Sequence, residues 1–233
     1  MYSFDSIIRY SETDQNKTLS LEHLINYFQD CTTFHSESIG QGLETLEKEQ
    51  KCWMLLGWQI EVNRLPKFME KVKIATWPTT FIRCKGGRNF AMYDMEGNVL
   101  ARADSQWVFM DMAKGMPARI PAEMEEVYRS EPAFDLVYDK KKMKIPEDCR
   151  IGESFQVRWE HLDTNHHVNN AQYIKMALYQ LPKLVEIHQV KAEYKSQAKL
   201  GDTIIPKIKE EDRKYLVALC SENDKPFAII EIQ

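Results

Sequence analysis

Shifted by 149 residues, the chain falls onto itself. Arg9 meets Arg158, Tyr10 meets Trp159, Asp14 meets Asp163, Asn16 meets Asn165 and Ile25 meets Ile174. The period is that of a domain, not of a solenoid. A repeat of this size constrains the fold strongly, because each copy has to bury its own core with the same order of elements.

The apolar patterning supplies that order. In the first copy, Leu21, Leu24, Ile25 and Phe28 sit at helical spacing between Ser20 and about His35, and Gly40 and Gly42 end the run. Strand patterns follow from Trp53 to Val62, Lys71 to Trp77, Arg88 to Asp94 and Val99 to Asp111, the last two joined by the turn Met95-Glu-Gly-Asn98. In the second copy, Tyr173, Ile174, Ala177, Leu178 and Leu181 form a helical face ending near Pro182. Strands are then expected from Ile187 to Tyr194, Thr203 to Lys209, Tyr215 to Cys220 and Pro226 to Ile232. Each half is therefore a strand, one helix and several antiparallel strands, an α+β arrangement of a curved sheet on a helix. The expected domains are residues 1–116 and 149–233. The Pro-, Lys- and Glu-rich stretch 117–148 is the linker.

Composition narrows the function classes. With 43% hydrophobic and 28% charged residues the chain has material for a real core. A net charge of −4 gives no reason to expect nucleic acid as a partner. Two local basic clusters stand out, Lys140-Lys141-Lys142-Met143-Lys144 and the set Arg83, Lys85 and Arg88. Each reads equally well as a solvated face or a docking surface. No segment approaches transmembrane length and the N-terminus has no apolar leader pattern. Five scattered cysteines without a CxxC pair read as reduced thiols in a cytoplasmic protein.

Chemistry concentrates in Asp163-Thr-Asn165-His166-His167-Val-Asn169-Asn170-Ala-Gln-Tyr173-Ile174. On an extended backbone Asp163, Asn165 and His167 would share one face, with Thr164 and His166 turned away. The helix start that follows offers unpaired N–H groups to a developing negative charge. The layout suits attack of water on a carbonyl. In the first copy the position of His167 is Thr18, so the imidazole belongs to the second half only. Asp14 and Asn16, lacking it, read as turn and cap residues. A metal site is not expected: His161, Asp163, His166 and His167 are close in sequence, but adjacent histidines diverge and no second ligand cluster appears. The cysteines read as inert, and His23, His35 and His188 receive no role.

The motif Asp163-x-Asn165-x-His167-Val-Asn169-Asn170-x-x-Tyr173-Ile174 resembles the signature of the acyl-acyl carrier protein (acyl-ACP) thioesterases, the plant plastidial enzymes and their bacterial relatives. The likeness runs nearly end to end, through Thr18 to Asp30, Ser38-Ile-Gly40, Trp53, Val72 to Trp77, Ala103 to Val108 and Arg119-Ile-Pro121. It implies two hotdog folds in tandem, each a sheet wrapped around one helix. The implied reaction is hydrolysis of the thioester that ends fatty acid synthesis, without a cofactor or metal. The implied partner is acyl carrier protein bearing its phosphopantetheine-linked acyl chain, and a homodimer is left open. The family's catalytic positions fall on Asp163, Asn165, His167 and Gln197, with Asn169, Asn170 and Trp53 as substrate-binding positions. One departure is plain. Where the plant enzymes carry Glu-Tyr-Arg-Arg-Glu-Cys, this chain has Glu193-Tyr-Lys-Ser-Gln197-Ala198. A thiolate is thus absent there, and Gln197 can position water but cannot take its proton. An acyl-CoA thioesterase and a non-catalytic acyl-binding module stand as alternatives.

Overall fold

In the computed structural model, which describes residues 1–136, 141–182, 185–212 and 214–233, Ser20 starts the helix that organises the first half. Its hydroxyl accepts from the His23 N–H, capping α1 (Leu21–Ser38). Leu24, Ile25 and Phe28 on one face are fully buried, each such side chain contributing about 1.5–3 kcal/mol. Gly40, at φ +74°, ends the turn that leaves the helix.

The chain divides into two units, Met1–Tyr138 and Asp139–Gln233. In the first, β1 (Tyr2–Ile7) precedes α1, and α2 (Leu43–Lys48) follows it. The strands β2 (Lys51–Val62), β3 (Lys71–Ile82), β4 (Lys85–Asp94) and β5 (Val99–Asp111) then form an antiparallel sheet of order β1-β3-β4-β5-β2, with β6 (Met116–Pro117) added to β5. Phe90 of β4 meets Phe28 of α1 at 5.3 Å and Trp58 of β2 at 6.1 Å. Strand alternation puts Arg88 on the same side as Phe90, and Arg88 is buried rather than part of a basic surface with Arg83 and Lys85. β3 runs past the expected end at Trp77, absorbing Pro78 through a bulge before Thr80.

The first part of the expected linker packs onto this unit. Helix α3 (Ala122–Tyr128) places Met124 and Tyr128 in a cluster with Leu46, Phe109 and Ile120. The following segment covers the outer face of the sheet. Trp77 Nε1 donates to the Pro132 carbonyl at 3.0 Å, the Phe134 N–H donates to Asn89 Oδ1 at 2.7 Å, and the Phe134 ring lies 4.7 Å from that of Trp77.

The second unit has β7 (Arg150–Ile151), β8 (Phe155–Gln156), α4 (Asn170–Leu178), β9 (Gln189–Tyr194), β10 (Thr203–Glu211), β11 (Lys214–Cys220) and β12 (Pro226–Ile232). Its strand order is β9-β12-β11-β10-β7, with β8 also on β10. Ala171, Tyr173, Ile174, Met176 and Ala177 form the buried face of α4. On the outer face Met143 and Ile145 pack on Ala218, Cys220 and Ile229, and the Met143 N–H donates to Glu193 Oε1 at 3.0 Å. Lys142 and Lys144 alternate with these apolar residues and are exposed, as is Lys141, while Lys140 of the same cluster lies outside the described residues.

Candidate active site

The segment 163–167 is a turn, not the extended strand that its alternation suggested. Leu162 bridges Val168, the Asp163 N–H donates to the His167 carbonyl at 2.8 Å, and the His166 N–H donates to the Asp163 carbonyl at 3.1 Å. Asp163 Oδ1 accepts the N–H groups of Asn165 at 2.8 Å and His167 at 3.3 Å. A short carboxylate caps its own turn here by an Asx-type bond. His166 takes the left-handed position, φ +61°, which histidine tolerates better than most residues. The two adjacent histidines thus have different surroundings: His166 is exposed while His167 is half-buried.

The first unit builds the same turn. Asp14 Oδ1 accepts from Asn16 N–H at 2.8 Å and Thr18 N–H at 3.0 Å, Lys17 sits at φ +59°, and Thr13 bridges Leu19. The preceding loops match as well. Glu12 Oε2 caps the Arg9 N–H at 2.8 Å, as His161 Nδ1 caps the Arg158 N–H at 3.0 Å. Burial lowers the His161 pKa, keeping the neutral form that this acceptor role needs. Among the described residues no group of three or more His, Cys, Asp and Glu side chains is placed to hold a metal ion.

Around His167 the elements converge as follows. Asn169 caps α4 through Oδ1 to the Ala171 N–H at 2.8 Å. Asn170 opens the helix, and its carbonyl accepts from Tyr194 Oη at 3.0 Å. The Val168 N–H donates to the Ala198 carbonyl at 3.0 Å, so Gln197 stands one residue from the peptide paired beside His167. Gln197 and Asn165 are exposed. The imidazole is the outlier: among the described residues its Nδ1 is buried with no hydrogen-bond partner. A buried unpaired polar atom costs about 1–3 kcal/mol and calls for a reason. Asp163 does not supply the partner: its carboxylate accepts from the backbone amides of Asn165 and His167.

Trp53 lies in the first unit on β2, its ring 5.0 Å from Phe109 and 6.1 Å from Phe81. Gly86 allows it this seat, because a Cβ there would come within 3.1 Å of the indole. The structure thus gives Trp53 an aromatic cluster to pack in, alongside the expected role in acyl binding. Burial pushes the Cys31 thiol up to about 12, which keeps it protonated and unreactive. Sequence reasoning missed the phenol of Tyr173, whose Oη accepts the Ala198 N–H at 2.8 Å.

Comparison with solved structures defines the fold class. An acyl-ACP thioesterase from Bacteroides thetaiotaomicron superposes with a TM-score of 0.89 at 22% identity, covering 99% of this chain and 96% of that one. The 12:0-ACP thioesterase from Umbellularia californica superposes at 0.86 with 20% identity, covering 100% and 96%. The molecule is a tandem hotdog protein, one curved antiparallel sheet and one central helix in each unit. The sequence carries the assignment further. Residues 1–128 match the acyl-ACP thioesterase N-terminal domain and residues 146–231 the C-terminal domain, so the chain belongs to the acyl-ACP thioesterase family. It is 30% identical to the chloroplastic acyl-[acyl-carrier-protein] hydrolase FATB3 of Cuphea viscosissima, over 95% of this chain and 59% of that protein. It is 27% identical to the chloroplastic oleoyl-acyl carrier protein thioesterase 2 of Arabidopsis thaliana, over 87% and 61%. The chain thus spans about three fifths of the length of these curated relatives. Among the described residues no helix is long and apolar enough to cross a membrane.

Proposed function

We propose that this protein hydrolyses the thioester of acyl-acyl carrier protein, releasing a free fatty acid, with the site in its second unit. The observation that carries the proposal is the half-buried imidazole of His167, present where the matching turn of the first unit has Thr18. Its Nδ1 is enclosed, which leaves Nε2 to meet water or substrate. Imidazole has the right basicity for a proton acceptor near neutral pH. His167 takes a proton from water, the water oxygen attacks the thioester carbonyl, and collapse of the tetrahedral intermediate expels the carrier thiolate, which leaves as the thiol once protonated. Asp163 holds the turn that presents the imidazole. Asn165 and Gln197, both exposed on the same small loop system, orient water or substrate by their amides. The positive end of the α4 dipole favours the developing oxyanion. Asn169 and Asn170 shape that helix start, and Trp53 belongs to the acyl-chain side of the molecule.

Carrier proteins of this kind are acidic, and the exposed Lys142 and Lys144 are held on a segment whose apolar residues are anchored. They are proposed as part of the docking surface. The test is turnover of acyl-carrier-protein and acyl-CoA substrates of varied chain length, reading free thiol and fatty acid. His167→Ala is expected to lose about 10²–10⁴-fold in kcat/KM while keeping its circular dichroism spectrum. Turnover equal to that of the wild type would remove His167 from the mechanism. Higher efficiency on acyl-CoA than on the acyl carrier protein substrate would assign the activity to acyl-CoA instead.

A further inference from the structure

Ala198 is fully buried, and its peptide is held from two sides. Its carbonyl accepts from Val168, next to His167, and its N–H donates to the phenol of Tyr173. The first unit solves the same junction differently. Leu19, the counterpart of Val168, donates its N–H to the Pro66 carbonyl at 2.8 Å. Pro66 therefore occupies the place of Ala198, and Leu65 that of Gln197. Proline has no N–H to satisfy, and the helix position that corresponds to Tyr173 is the fully buried Leu24. One unit thus pairs a proline with a leucine, and the other pairs an alanine N–H with a tyrosine hydroxyl. This spatial equivalence does not follow the 149-residue offset, because α1, α2 and β2 together are longer than α4 and β9.

We infer that Tyr173 is a positioning residue: its hydroxyl pins the Gln197–Ala198 loop against the His167 turn, fixing where Gln197 stands relative to the imidazole. The inference rests on the proposed role of His167. Tyr173 is 2% exposed, so its ring is held by packing and its hydroxyl is a rigid peg. Burial also raises its pKa to about 12, so the phenol stays neutral throughout the working range. An apolar core residue would fill the helix face equally well, as Leu24 does. The hydroxyl is needed only because residue 198 keeps its N–H.

Tyr173→Phe removes the hydroxyl and little else. The expected result is a fall in kcat of about tenfold with KM changed less than twofold, since the loop still forms but Gln197 wanders. Amide exchange across residues 195–199 should accelerate in the same variant, whatever substrate is used. The double variant Tyr173→Leu with Ala198→Pro rebuilds the pair of the first unit, and should restore both slow exchange and most of kcat. Unchanged exchange in Tyr173→Phe would overturn the proposal, as would kcat within twofold of wild type. A double variant that regains stability and slow exchange but not kcat would also overturn it, since the hydroxyl would then act on the chemistry directly. His167→Ala separates the two levels. If it keeps turnover, the site assignment fails; if it loses turnover while Tyr173→Phe does not, only the positioning role fails.

Discussion

Lowering the pH should destabilise the first unit through one residue, His35. Its ring lies in the last turn of α1, 7% exposed. Arg88 Nη1 stands 3.1 Å from Nδ1, Tyr2 stacks at 5.6 Å, and Tyr128 meets it edge-on at 5.6 Å. Burial is the largest cause, the Arg88 guanidinium the second and the N-terminal ammonium the third, and together they hold the His35 pKa down to about 4. Nδ1 can accept from Arg88 only while the ring is neutral. In the unfolded chain the pKa is near 6.5. Between the two values the unfolded state binds the extra proton, so stability falls as pH drops from about 6.5 and levels off below about 4. A gap of some 2.5 units at 1.36 kcal/mol each gives about 3 kcal/mol in total. The assay is urea unfolding at several values between about pH 7 and pH 4, on the wild type and on His35→Asn. Asparagine offers Arg88 an acceptor oxygen but does not titrate. Carboxylates common to both proteins cancel in the difference, which should shrink by about 3 kcal/mol toward acid. A difference that stays flat would refute the assignment of a neutral, buried His35 beside Arg88.

Gln197→Glu restores the carboxylate that the family resemblance places there. It should change kcat/KM several-fold or add an acidic limb to the pH–rate profile near pH 4–5, the ordinary glutamate range. If neither moves, Gln197 takes no part in the reaction. Lys142→Glu with Lys144→Glu should lower turnover of the acyl carrier protein substrate about three- to tenfold at low salt, the loss shrinking as salt rises. Short acyl-CoA turnover should be unaffected, and an equal loss on both substrates would indicate damage to the fold.

Much of the architecture was legible because sheet burial writes itself into alternation. The ladders from Lys51 to Asp111 and from Thr203 to Ile232 fall close to the expected strands. The turn at Asp163 was misread, since a polar residue at every second position fits both an exposed strand and an Asx-capped turn. A signal was available. Asp94 Oδ1 accepts from Glu96 and Asn98 N–H groups in the hairpin at Gly97, the same spacing and the same bond pattern. Helix α3 was hidden by the charged composition of residues 122–128, where only Met124 and Tyr128 turn inward. Arg88 was read as surface charge because nothing local reveals that α1 lies over it. The Tyr173–Ala198 bond could not be found by sequence offset, as its counterpart pairs residues at a different separation.

The duplicated turn decides how the proton-transfer problem should be divided. Asp14 makes the same two amide bonds as Asp163 in a turn that carries Thr18 where the second unit has its imidazole, so turn formation alone is sufficient reason for an aspartate there. A group whose presence is explained by the backbone cannot be inferred to be the base from its position. Among the side chains that the first unit lacks, three bear on the junction at Ala198: His167 for Thr18, Gln197 for Leu65 and Tyr173 for Leu24. They lie on the three segments joined at the Ala198 peptide: the turn through Val168, the helix through Tyr173 and the loop after β9. Of these, only the imidazole can accept a proton from water near neutral pH, because the amide is not basic and the buried phenol already holds its own proton. On the proposed reaction, the absence of a glutamate at position 197 leaves the base's task to His167, and the proposal gives Gln197 and Tyr173 the geometry in which it works.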